Sequence, residues 1–177
     1  MPAGRRDGRV SNAAEATAVN LPTPVMDASA LLKLFRRKGL NAAQLVILSG
    51  AHTIGKAPCL TFDNRLHASP VDPTLPASFA ASLKKQCPTA QLTTRVVLDS
   101  TARKFDPQYF KDIIRGRGLL TSDQTLLSDS RTEGQVYANS GAAFYRNFGD
   151  AMVAMSRVGV LTGGSGEIRR VIGQVNS

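Results

Sequence analysis

Two histidines are the side chains of this sequence best suited to bind a metal or carry a proton near neutral pH. His52 lies in "LVILSGAHTIGKAPC", between the end of a predicted helix and the Gly55–Lys56 turn, and His67 lies in "NRLHASP". A histidine at a helix end can cap the helix, make an ordinary hydrogen bond or ligate a metal. The residue alone leaves these alternatives open.

Two cysteines and one polar loop are the other places where the sequence could do chemistry. Cys59 and Cys87 allow one disulfide bond, and two buried free thiols are the alternative. The segment "LDSTARKFD", residues 98–106, gathers carboxylates and hydroxyls, which is also typical of a solvated loop. Neither feature has a defined role on composition alone.

Capping signals and apolar spacing predict the helices that position these residues. One helix is predicted from Asp27, a suitable N-cap, to Gly39, and a second from Asn41 to Gly50. His52 therefore falls just beyond the second helix.

The rest of the chain alternates short helices with long loops. Further helices are predicted over residues 78–86, 107–114 and 142–158, and irregular or partly extended chain over residues 1–26, 60–77, 88–107 and 161–177. The last helix carries an apolar stripe that is predicted to be buried: Phe144, Phe148, Met152 and Met155. The expected fold class is mainly α.

Composition limits the possible partners. The 177 residues suit a single domain over 1–177. The net charge is +9, but the basic residues are scattered without aromatic interleaving, so nucleic acid is not an expected partner. No run approaches the roughly 18 apolar residues of a membrane span, so no membrane partner is expected. The first twenty residues lack an apolar core, so no signal peptide is present as written.

The histidine phrase has a specific resemblance. "LSGAHTIGKAPC" resembles the proximal haem-ligand segment of the secretory plant peroxidases, the class III haem peroxidases. The resemblance covers essentially the whole chain, because these phrases follow in the family's order: "GRRDGRVSNA", "LPTP", "FDNRL", "DPTL", "FDPQYF", "GRGLLTSDQTLL" and "YRNFGDAMVAMSRVGVLTGGSGEIRR". Gln44 departs from the family, which usually has an acid there. The resemblance implies a haem-peroxidase fold and oxidation of small phenolic donors by hydrogen peroxide, outside the cell and in response to oxidative stress.

The resemblance also implies a cofactor site. His52 would be the axial ligand of the iron in haem b. Asp123, in the family's "SDQ" phrase, would accept a hydrogen bond from the other ring nitrogen and raise the basicity of the imidazole. Read without the resemblance, Asp123 is an acid near a helix N-terminus.

A structural calcium ion is the second implied group. Its ligands would be the side chains of Thr53, Asp99, Thr101 and Asp106, with the Lys104 carbonyl. The loop is one residue shorter than the family pattern between the first acid and the hydroxyl. The ligand register at Ser100 and Thr101 is therefore open.

Three further positions match or depart from the family. Cys59 and Cys87 fall where the family has a disulfide bond, and Pro22 matches a proline at the rim of the aromatic-substrate channel. Ile172 stands where the family has a cysteine near its C-terminus.

The distal catalytic phrase of the family, of the type R-L-x-F-H-D-C, does not occur in these residues. No catalytic residue is therefore assigned, and His67, on a loop that carries no catalytic group in the family, is not expected to replace the distal base. We expect a proximal half that begins partway through the fold. The alternatives are an inactive remnant that binds haem or calcium, and a basic protein that binds acidic cell-wall polymers.

Overall fold

The computed structural model describes residues 4–10, 12–17 and 19–176. Its helices are α1 (Ala28–Arg37), α2 (Ala42–Ser49), α3 (Asp63–Leu66), α4 (Ala77–Gln86), α5 (Gln108–Ile114), α6 (Thr121–Ser128), α7 (Glu133–Ala138) and α8 (Ala143–Met155). Two strands, β1 (Lys56–Pro58) and β2 (Arg95–Val97), pair antiparallel. The predicted mainly α class is confirmed.

Side-chain caps fix the starts of the first two helices. The Asp27 carboxylate accepts a hydrogen bond from Ala30 N at 2.7 Å, as its N-cap position predicts. Asn41 and Gln44 form a capping box before and within α2, with both bonds at 2.9 Å. Gln44 therefore satisfies the helix terminus at the position where the family usually has an acid.

Two apolar clusters make up the core. Helices α1, α2 and α5 to α8 contribute the first cluster, which contains Leu31, Leu45, Val46, Tyr109, Phe110, Ile113, Leu126, Val136 and Phe144. The second cluster lies around the two-stranded sheet, α3 and α4, and contains Ala57, Cys59, Phe62, Leu66, Leu75, Ala80, Leu83, Cys87, Val96, Leu119 and Leu120. α2 contributes Leu45 and Val46 to the first cluster, and this packing anchors the helix that leads into the histidine segment.

The two-stranded sheet joins the histidine segment to the polar loop. Lys56 pairs with Val97 and Pro58 with Arg95, and an isolated bridge joins Ile54 to Arg103. The chain after His52 therefore runs directly beside residues 98–106.

The structure corrects several boundaries of the predicted helices. The region predicted as a loop over 60–77 contains α3. α7 was not predicted, and α6 was anticipated only as a helix N-terminus near Asp123, because their apolar residues are few and lack a long 3.6-residue repeat. The predicted helix over 142–158 ends at Met155. That methionine is 41% exposed, so the prediction that it is buried is wrong.

The N-terminal segment is tied to the C-terminal tail. Arg6 forms a bridge with Leu161 and Asp7 with Glu167, and a short 3₁₀ turn covers Ala13–Glu15. Residues 1–3, 11 and 18, within the segment predicted to be irregular, lie outside the described residues. In the described part of the chain, no helix is long and apolar enough to cross a bilayer.

Candidate functional site

His52 lies in a 3₁₀ turn, Gly50–Thr53, that continues α2. Gly50 permits this turn because a Cβ there would come within 2.6 Å of the Phe144 ring and 2.9 Å of the Phe110 ring. The close approach presses the end of α2 against the aromatic core. The direction in which His52 leaves the core is therefore set by packing.

His52 and Asp123 form a hydrogen-bonded pair. The Nδ1 atom of His52 lies 2.8 Å from Oδ1 of Asp123, and the carboxylate belongs to a residue that is 1% exposed. Because a carboxylate only accepts, Nδ1 carries the proton. Burial alone would lower the pKa of His52, but the hydrogen bond and negative charge of Asp123 outweigh it and raise that pKa.

Asp123 is held by two further donors. The Tyr109 hydroxyl donates to the same Oδ1 at 3.0 Å, and Leu120 N donates to Oδ2 at 3.2 Å. Asp123 is in the first turn of α6, where the helix dipole favours an anion. Burial raises the pKa of Tyr109 well above its usual range, and the neighbouring carboxylate raises it further. Tyr109 therefore stays a hydrogen-bond donor.

The remaining ring nitrogen of His52 is suited to a metal. The His52 side chain is 40% exposed, and none of the described residues forms a hydrogen bond with Nε2. A neutral imidazole anchored through Nδ1 to a carboxylate presents Nε2 as a ligand. The donor set therefore fits an axial haem ligand.

Oxygen atoms converge next to His52 around the buried Thr53. Its hydroxyl donates to Asp99 Oδ2 at 2.6 Å and lies 3.4 Å from the Lys104 carbonyl oxygen. Thr101 donates through its backbone to Asp99 Oδ1 at 2.9 Å and through its hydroxyl to Asp106 Oδ1 at 3.0 Å. These five residues together offer the hard oxygens that calcium prefers.

The structure separates Ser100 from this oxygen cluster. Both its backbone N and its hydroxyl donate to Asp112 Oδ2, at 2.8 and 2.7 Å. Thr101, rather than Ser100, faces Asp106. The one-residue shortening of the loop therefore leaves Thr101 with the candidate ligands.

Negative charge is concentrated in the same place. Burial raises the pKa of Asp99, and the carboxylates of Asp112 and Asp106 act in the same direction. Hydrogen bonds from Thr53 and Thr101 oppose that rise. Among the described residues, no group of three or more His, Cys, Asp or Glu side chains could hold a metal. A calcium ion here would depend on hydroxyl and carbonyl oxygens as well as the two acids.

The remaining predicted residues lie elsewhere. Cys59 and Cys87 are bonded with a Cα–Cα distance of 5.7 Å, which confirms the predicted disulfide. Pro22 is exposed in the segment before α1, and Ile172 is 92% exposed in the tail. His67 pairs through Nδ1 with Asp63 Oδ1 at 2.7 Å.

Sequence analysis missed the residues that support the His52–Asp123 pair. Tyr109 lies in the phrase "FDPQYF", and its position in a buried helix gave no sign that its hydroxyl reaches α6. Arg65 is 1% exposed and donates to the carbonyls of Leu119 and Leu120, at 3.1 and 3.3 Å. A long-range contact of this kind has no signal in local spacing.

Comparison with known proteins identifies the family to which the chain is similar. The peroxidase family model matches residues 1–140. "Peroxidase 5" of Vitis vinifera is 47% identical over an alignment 186 positions long, which covers 100% of this chain and 56% of that protein. "Peroxidase 27" of Arabidopsis thaliana is 44% identical over 181 residues, with 98% and 56% covered. "Peroxidase 1" of Arabidopsis thaliana is 41% identical over 180 residues, with 96% and 55% covered.

The chain thus spans about half the length of the curated relatives that it matches. The similarity extends over the histidine phrase, the polar loop and the α6 segment alike, since nearly all of the chain is aligned. The chain belongs to the peroxidase family, among the plant class III peroxidases.

Proposed function

We propose that these 177 residues, as one domain, supply the proximal half of a haem site, for peroxidase chemistry that uses hydrogen peroxide on small phenolic donors. The observation that carries the proposal is the His52–Asp123 pair, with a 2.8 Å bond on one ring nitrogen of a partly exposed side chain. Haem b, when bound, would supply the iron, which reduces peroxide and then oxidises the phenolic donors.

His52 and Asp123 divide the work in this proposal. His52 would hold the iron through Nε2, and Asp123 would keep the Nδ1 proton and make the imidazole a stronger electron donor. A more basic axial ligand favours the higher oxidation states of the iron. The burial of Asp123 keeps water from competing for its oxygens.

Calcium would support this arrangement from the adjacent segment. Thr53, Asp99, Thr101, Asp106 and the Lys104 carbonyl would hold the ion. Thr53 directly follows His52, so a filled calcium site would restrict the turn that carries the axial ligand.

Peroxide cleavage needs a proton carrier and a donor to the departing oxygen on the other face of the haem. His67 is paired with Asp63 on the loop closed by the disulfide, and the 177 residues contain no third histidine. We therefore expect the haem-loaded chain to oxidise phenols little better than free haem, since acid–base catalysis typically contributes about 10²–10⁴ in rate.

Haem titration and turnover test the proposal together. Visible absorbance should show a saturable histidine-ligated haem with a 1:1 end point, and guaiacol-type phenol oxidation should stay within a few-fold of free haem. Binding of haem and calcium with phenol oxidation no higher than in haem-free protein would support the inactive-remnant alternative. Absence of haem binding, with binding to polygalacturonate instead, would support the basic polymer-binding alternative that the net charge of +9 admits.

Two finer assignments belong to the same proposal. Pro22, exposed before α1, would lie at the rim of the donor's access path. Secretion is proposed from the family alone. Measurement of donor KM in a haem-containing preparation that turns over, with Pro22→Ala, would test the first of these.

A further inference from the structure

Tyr109 is a buried titratable residue to which the proposed function gives no role. It is 1% exposed on α5, and its hydroxyl reaches across to α6. Its ring also stands edge-on to His52, with the centroids 6.1 Å apart and the planes at 81°. The side chain therefore touches both members of the candidate ligand pair.

Tyr109 and His52 compete for one oxygen atom. His52 Nδ1 donates to Asp123 Oδ1 at 2.8 Å, and the Tyr109 hydroxyl donates to the same Oδ1 at 3.0 Å. A carboxylate oxygen that accepts a second hydrogen bond carries less free negative charge for the first. Two donors on one oxygen therefore give a weaker bond to the imidazole than a single donor would.

Tyr109 is only one of the groups that hold the carboxylate in place. Leu120 N donates to the other oxygen, Oδ2, at 3.2 Å, and Asp123 lies in the first turn of α6. Arg65 in turn binds the carbonyl oxygens of Leu119 and Leu120, which fixes the backbone just before that turn. Removal of the Tyr109 hydroxyl should therefore change the charge on Oδ1 more than its position.

We propose that Tyr109 is a positioning and tuning residue that limits, through Asp123 Oδ1, how strongly His52 donates electrons to a bound metal. The inference rests on the proposed function for its consequence at iron, and on the hydrogen-bond geometry alone for its effect on His52. It assigns a direction: less donation from Tyr109 means a stronger His52–Asp123 bond and a more basic ligand.

The unloaded chain gives the first test. In ¹⁵N-histidine-labelled protein, Tyr109→Phe should move the His52 Nδ1 proton downfield, because the bond to Asp123 strengthens. Tyr137→Phe, which removes an exposed hydroxyl by the same change, should leave the shift unaltered. An upfield or unchanged resonance in Tyr109→Phe would overturn the proposal, since a purely structural role predicts a displaced carboxylate and a weaker bond.

A second measurement covers the case in which Tyr109→Phe does not fold. The chain has three tyrosines, so in a Tyr137→Phe/Tyr145→Phe background a fluorinated tyrosine enters at position 109 alone. Fluorination makes the phenol a stronger donor, so the His52 proton should move upfield in proportion to the acidity of the phenol. A shift that does not follow phenol acidity would overturn the proposal.

The haem-loaded chain extends the test to the metal. Resonance Raman spectra of the ferrous state should show a higher iron–histidine stretching frequency in Tyr109→Phe than in the wild type or Tyr137→Phe. An equal or lower frequency, with haem bound through His52, would contradict the tuning role. Failure of the wild type to bind haem would count against the proposed function only, because the unloaded-chain measurement would still decide the role of Tyr109.

Discussion

The chain contains two histidine–aspartate pairs of nearly equal length in very different surroundings. His52 Nδ1 lies 2.8 Å from Asp123 Oδ1, and His67 Nδ1 lies 2.7 Å from Asp63 Oδ1. The first pair joins positions 71 residues apart, and its carboxylate is 1% exposed. The second pair spans one helical turn, and its side chains are 30% and 33% exposed.

The difference lies in what holds the carboxylate. Asp123 has two donors besides His52, whereas the second pair is a local i,i+4 contact at the surface. Exposed pairs of this kind contribute little to stability because water screens them. The same two residue types therefore form a pair with a buried carboxylate in one place and a solvated pair in the other. Burial of the anion and its long-range hydrogen bonds separate the two cases.

The disulfide is the largest expected effect, and it acts on the region of His67. Cys59 and Cys87 enclose that histidine in a loop with a sequence separation of 28. Replacement of both cysteines by Ala should lower the free energy of unfolding by about 3–4 kcal/mol, from loop entropy alone. Chemical denaturation of the wild type and the variant measures this loss of stability. Amide exchange should rise more around His67 than around His52, and a reverse order would contradict the division into two regions.

Calcium should act on the region of His52 instead. Asp106→Asn keeps an acceptor for Gln108 N, which donates to Asp106 at 2.9 Å, but removes one ligand charge. At calcium 100-fold above Kd, the wild type should gain about 2.7 kcal/mol that the variant loses, with little difference in a chelator. Thermal unfolding with and without calcium measures this, and Asp150→Asn, an exposed change, is the control. Equal losses in both conditions would mean that the site does not bind the ion.

Loss of the two carboxylates should differ in cost. Asp123→Asn places an amide where Tyr109 and Leu120 donate, and should cost about 1–3 kcal/mol because a buried donor loses its partner. Asp63→Asn should change stability by no more than about 0.5 kcal/mol, as surface substitutions usually do. Urea unfolding of both variants measures the contrast. Equal costs would mean that burial does not distinguish the pairs.

The smallest expected effect is a pH dependence near His67. Burial alone would raise the pKa of Asp72, but hydrogen bonds from Arg65 and Thr74, with the Arg65 charge, outweigh it and lower that pKa. A lowered folded-state pKa gives stability that is present above the ordinary Asp value, near 4, and is lost as the pH falls through the folded value. Asp72→Asn should therefore flatten the pH dependence of unfolding below about pH 4. An unchanged slope would remove Asp72 from the acid response.

Much of the fold could be predicted from local signals. The caps at Asp27 and Asn41 set the first two helices, and the position of His52 just past α2 follows from them. α6 was not delimited because its apolar face is short and its N-cap residue, Leu120, has no polar side chain. Helices of this kind form through tertiary contacts, here through Leu126 in the first apolar cluster.

The site was predicted less completely than the fold. The family resemblance supplied His52, Asp123 and the oxygen-rich loop, and the structure places each pair or cluster within hydrogen-bond distance. Their roles as haem and calcium ligands stay predictions. Tyr109 was absent from the predicted site because a hydroxyl contact across 14 residues has no periodic signal.

Haem ligation by His52 is tested most directly by exchange of the ligand. In His52→Gly the haem spectrum should lose its histidine-ligated form, and free imidazole should restore it by entering the space left by the ring. His67→Gly should keep the wild-type spectrum without imidazole. A histidine-ligated spectrum that persists in His52→Gly and disappears in His67→Gly would contradict the account.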